Sequence, residues 1–257
     1  MHTAAAILKM TEPGELFSED TLHMKAEYTQ LAMHWHPDRN IGSVQAQEVM
    51  SHINALYAMG MTLLRNGCWR KPGIIRLMDR DGKKHEIRFL REVPFELGTT
   101  FIGDSTVAYL LDEASRSDFD NAERAIRSNT FSSLGMETEI NKCLPKIISL
   151  FETTDRRKCM VLEKPPGLLR LEDVRAHYGG RLPDRHVAWI MGSLYNLACY
   201  LAHIGKAHNA ISTDTCWISP ALHCTAVLGG WWHSVPLGIR MMSVPAKTFS
   251  VMPPQVA

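Results

Sequence analysis

The chain has 257 residues, 45% hydrophobic and 21% charged, which excludes a disordered chain and leaves enough apolar material for one or two globular domains. Its 28 Lys and Arg against 27 Asp and Glu give a net charge of +1, so no electrostatic case exists for broad nucleic-acid or membrane-surface binding. The apolar runs fall short of the ~20 residues of a membrane span, MHTAAAILKM has no basic leader, and none of the six cysteines sits in a C-x-x-C pair; together these predict a cytoplasmic protein with reduced thiols.

In chain order, the residues before Glu15 leave room for a short first helix. Ser18-Glu19-Asp20 is a helix start, with carboxylates near the positive end of the helix dipole. Met24, Tyr28, Leu31 and Trp35 then recur at helical spacing, and Pro37 forces the helix to stop by His36. Ala46, Met50, Ile53 and Tyr57 form a second stripe. Two helices with facing apolar stripes and a short polar connection predict an antiparallel hairpin.

Composition shifts near Asn66–Gly73, from helix formers to strand formers, with Gly and Pro between them. The expected organisation is 1–67 as a helical domain, 68–73 as a linker and 74–257 as a second domain. Gly73–Met78 and Lys84–Leu90 flank Asp79-Arg80-Asp81-Gly82, a hairpin turn. Phe95–Ile102 and Thr106–Leu111 follow as strands, then helices over 118–128 and 136–149. A strand at Lys158–Leu162 leads into Glu163–Gly167. Pro183-Asp184 opens a helix whose stripe is Val187, Ile190, Met191, Leu194, Leu197, Ala198 and Leu201. The Gly-, Pro- and Met-rich tail reads as irregular. The fold class is therefore α+β.

Tyr28-x-x-Leu31-Ala32-x-x-Trp35-His36-Pro37-Asp38-Arg39-Asn40, with Ile53-Asn54-x-x-Tyr57 in register, resembles the second helix, loop and third helix of a DnaJ-type J-domain. The resemblance implies that His36, Pro37 and Asp38 engage a DnaK-type chaperone and stimulate its ATPase, with no chemistry in the domain itself. It also implies a basic face on the second helix. Here Lys25, His34 and Arg39 supply it, and Ala26, Thr29 and Gln30 are uncharged, so steering toward an acidic partner is reduced.

Tyr200–Ser212 resembles the protein-kinase segment in which a long helix runs into the catalytic loop. His208 aligns with the loop His, Ala210 with the catalytic Asp, Ser212 with the loop Lys and Thr215 with the metal-binding Asn. Ala226–Trp231 resembles the strand leading to the Asp-Phe-Gly motif, with Gly229 at the Asp. Val107-Ala108-Tyr109-Leu110 resembles the strand carrying the phosphate-binding Lys, with Leu110 at that position. Pro253-Pro254-Gln255 resembles the end of an activation segment. Phosphoryl transfer relies on positioned charges, and each aligned position is neutral here. Asp214 is the nearest loop carboxylate, expected on the far side of the turn. The resemblance implies a truncated, catalytically dead kinase-like domain.

Other features are read as structural. Twelve histidines include His34 with His36, His203 with His208, and His223 and His233 near Cys224, but none has paired ligand spacing, so no metal or cofactor is expected. Trp231-Trp232 with Trp217 reads as a core plug. Arg76, Arg80, Lys83, Lys84 and Arg88 interleave with Asp79, Asp81 and Glu86 as a solvated face. The expected function is a J-domain co-chaperone or adaptor whose second domain binds a client. The alternatives are a nucleotide-binding or weakly active kinase-like enzyme, and a host-factor-binding protein of the kind such fusions resemble in tailed-phage genomes.

Overall fold

The computed structural model describes residues 2–65, 69, 73–165, 167–241 and 243–250. Most of the expected linker, Cys68 and Pro253-Pro254-Gln255 lie outside the described residues. The chain divides into two compact units, one of Met1–Arg76 with Glu86–Glu92 and one of Leu77–His85 with Val93–Ala257. The division falls within a hairpin, after the position where composition alone placed it.

The first unit is helical. A short α1 (Ala4–Ile7) precedes α2 (Thr21–Trp35) and α3 (Val44–Arg65). Asp20 caps α2, its carboxylate accepting the Leu22 and His23 N–H groups at 3.0 and 2.9 Å, which satisfies two otherwise orphaned donors. The helix ends at Trp35, before the His36-Pro37 step, as the proline requires. Met24 and Leu31 of α2 are buried with Val49, Ile53 and Leu56 of α3 and with Ile7 of α1. Each side chain so buried contributes roughly 1.5–3 kcal/mol on leaving water. Tyr28 stacks on Tyr57 at 4.2 Å and donates its hydroxyl to Asn54 at 2.9 Å, which fixes the register of the helix pair. Arg88 on the following hairpin reaches Glu15 at 3.0 Å.

That hairpin is β1 (Gly73–Met78) and β2 (Lys84–Phe89). The second unit is built on a five-stranded antiparallel sheet of order β3-β4-β5-β7-β6, with β3 (Arg91–Phe95), β4 (Gly98–Ile102), β5 (Thr106–Leu111), β6 (Ile147–Glu152) and β7 (Lys158–Glu163). Between β5 and β6 lie α4 (Arg116–Arg127) and α5 (Leu134–Ile140). Beyond the sheet come β8 (Leu169–Arg170), α6 (Leu171–His177), α7 (Asp184–His203) and β9 (Lys206–Ala207). The strands β10 (Cys216–Ser219) and β11 (Cys224–Val227) pair in the order β11-β10-β8, β12 (Val235–Pro236) pairs with β9, and α8 (Ala246–Phe249) follows.

Three local expectations need correction. The single strand over Phe95–Ile102 is two strands, because the chain turns at Glu96-Leu97 and returns as β4 beside β5. The helix over 136–149 stops at Ile140, and Ile147-Ile148 enter a strand. Pro145 bars a helix from running on through this stretch, and β-branched residues after it suit a pleated surface. On α7 the buried stripe is Ile190, Leu197, Tyr200 and Leu201, whereas Val187 and Met191 are about 40% and 39% exposed. Tyr200 on the buried face donates to the Thr130 carbonyl at 3.1 Å.

Candidate functional site

Two places bring the singled-out residues together. The first is the turn after α2. His36 and Asp38 are exposed and Pro37 is half-buried. The Asp38 N–H donates to His36 Nδ1 at 3.2 Å. Asn40 donates its side-chain amide to the carbonyls of His34 and His36 at 2.9 and 3.1 Å, and Arg39 donates to the Met33 carbonyl at 3.3 Å. These bonds cap the end of α2 and hold the turn in one conformation. Lys25, His34 and Arg39 are all exposed. Lys25 and His34 are nine residues apart on one helix, about 180° around its axis, so they do not share a face.

The second place is a cavity of about 340 Å³ in the second unit. Ala210, Ser212, Thr215 and Gly229 all line it, Gly229 coming from a separate segment. The loop after β9 carries the first three. Thr215 Oγ1 donates to the Ala210 carbonyl at 2.7 Å and accepts the Ser212 N–H at 2.9 Å, closing the loop on itself. Asn209 sits at φ 63° and donates to the His233 carbonyl at 3.0 Å. Asn121 of α4 donates to the carbonyls of Trp232 and Ser234 at 2.9 and 2.8 Å, which pins the segment after Gly230.

Leu110 is not in the cavity wall. Period-2 alternation along β5 puts Tyr109 there instead. Its ring lies edge-on to Phe95 at 5.8 Å and to Trp232 at 5.3 Å. A Cβ on Gly229 would lie 2.8 Å from the Tyr109 hydroxyl. Trp217 and Trp232 are buried, as a core plug should be, and both also face the cavity. Tyr109, Phe95 and these tryptophans were not assigned to the site from sequence; they come from separate elements, and only the fold brings them to one cavity.

The charged groups around the cavity have partners. Asp214 lines it, a correction to its expected place across the turn, and is paired with Lys247. Arg170 is held by Asp173 at 3.1 Å, and Glu96 accepts from His233 Nε2 at 2.7 Å. Next to the loop, Arg175 and then Thr213 hold the Glu172 carboxyl down to about 2. Burial pushes His208 down to about 3, against an opposing pull from the Gly229 backbone, so the ring is neutral. Burial also pushes the Tyr109 phenol upward. Such a site can hold an uncharged group by contact and hydrogen bonds to hydroxyls; among the described residues it offers no unpaired cation cluster for phosphates. Among the described residues, no group of three or more His, Cys, Asp or Glu is placed to hold a metal ion, and no helix is long and apolar enough to cross a membrane.

No protein-family model matches the chain, and no curated protein matches it. Among solved structures it is similar to one of vaccinia related kinase 3, at 12% identity and a TM-score of 0.48, over 63% of this chain and 51% of that one. The chain thus spans about half the length of that structure, and a likeness of this size says nothing about activity.

Proposed function

We propose that the chain is a J-domain adaptor. Its first unit recruits a DnaK-type chaperone through His36-Pro37-Asp38. Its second, a kinase-like domain that does not transfer phosphate, holds a client or another protein. The observation that carries this reading is the exposed His36-Pro37-Asp38 turn, rigidly capped at the end of a helix pair whose two apolar stripes are otherwise buried. His36→Gln should abolish stimulation of a DnaK-type ATPase and leave the thermal unfolding curve unchanged. Stimulation by the variant equal to that of wild type would sink the proposal.

The catalytically dead reading of the second unit is supported by Ala210, Ser212, Thr215 and Gly229 around one cavity, with Tyr109 between them. Holding Mg-ATP without compensating cations carries a heavy desolvation penalty. A thermal shift with Mg-ATP is expected to be absent.

One observation favours the enzyme alternative: Asp214 reaches the cavity wall. Its carboxylate is occupied by Lys247, which opposes a role as base. Radiolabelled phosphate incorporated by wild type and lost in Asp214→Asn would replace the adaptor reading with the enzyme.

A further inference from the structure

The second unit has a larger cavity, about 480 Å³, that shares no wall residue with the first. It lies between the end of α5, the end of β7 and the β10–β11 hairpin. Leu144, Leu168, Ala226 and Leu228 form its floor, each largely buried by its neighbours and lining the open space. Leu222, 74% exposed on the hairpin tip, stands at its mouth. A concave apolar floor of this kind takes an apolar group by contact.

Its polar wall residues include Lys142, Lys146 and Glu163, with Thr138, Asn141 and Ser219. Lys142 is committed to Glu139 at 2.8 Å. Lys146 faces Glu163 at 3.7 Å, too long for a good hydrogen bond. An apolar floor beneath one loosely held ammonium matches a ligand with an aliphatic chain and an anionic head. Cys224 lies in the wall and is half-buried, so it reports on occupancy. Its neighbour Cys143 does not compete, because burial pushes that thiol up to about 11.

We propose that this cavity binds a medium-chain aliphatic carboxylate, with the chain on the leucine floor and the head group on Lys146. The proposal is independent of the adaptor reading. The test is calorimetric titration of the full chain with hexanoate, octanoate and decanoate, with 1-octanol as the neutral counterpart. Affinity should rise roughly fourfold per added methylene. Lys146→Met, a change at an exposed side chain that leaves the core intact, should weaken octanoate about three- to fivefold and leave 1-octanol unchanged. Saturating decanoate should slow iodoacetamide labelling of Cys224 at least tenfold, read by peptide mass mapping, and leave exposed Cys199 unaffected. Affinity independent of chain length, unprotected Cys224, or 1-octanol binding as tightly as octanoate would each overturn the proposal.

Discussion

An aspartate at position 229 would place its Cβ 2.8 Å from the Tyr109 hydroxyl, so the neutral cavity is maintained by packing as well as by composition. Gly229→Asp should cost about 1–3 kcal/mol of stability through overpacking and a buried carboxylate. It should confer no phosphotransfer, and Tyr109→Phe in the same chain, which removes only the clashing hydroxyl, should recover part of the lost stability. Chemical denaturation of the single and double variants beside wild type checks this. His208 makes a second prediction. Its pKa is depressed from 6.5 to about 3 in the folded protein, so the unfolded chain binds the extra proton first. Stability is therefore present above pH ~6.5 and falls as pH drops toward 3, by roughly 2 kcal/mol at pH 5. Thermal unfolding at pH 7.5 and pH 5 should show that loss, and His208→Gln should show much less of it. Ala210, Ser212 and Thr215 share one loop, so their proximity is local information; Gly229 was linked to them through the resemblance to kinase segments, and the fold brings it to the same cavity. The resemblance singled out Leu110 on β5, whereas its neighbour Tyr109 is the residue that lines the cavity; alternation defines two faces of a strand without saying which one meets a cavity.

At the scale of elements, the helix pair of the first unit was legible from its stripes, since Met24, Leu31, Ile53 and Ala46 are buried as the period demands. The helix boundary at Trp35 followed from Pro37 alone. Where helix and strand compete over a short apolar run, the sequence was ambiguous: 140–149 contains leucine and isoleucine that suit either, and only pairing of β6 with β7 decides it. Residues 1–70 contain both stripes and should fold alone, with a stability at or below ~3–5 kcal/mol expected of so small a core. Extending the fragment to residue 92 adds the Arg88–Glu15 pair at 3.0 Å, and an exposed pair adds at most ~1 kcal/mol. Circular dichroism melts of the two fragments should therefore be helical and nearly coincident; a random-coil spectrum for 1–70 would remove the boundary.

For the whole molecule, two units with separate cores predict two calorimetric transitions, since all-or-none unfolding holds for single domains rather than pairs. Gly229→Asp should lower only one of them. Within the second unit, β5 is paired on both sides, to β4 and to β7, and five successive residues from Val107 to Leu111 are buried. The edge strands β3 and β6 lack that double protection. In deuterated buffer the β5 amides should consequently exchange last, only through opening of the entire unit. Their exchange lifetime measures how rarely this unit opens completely.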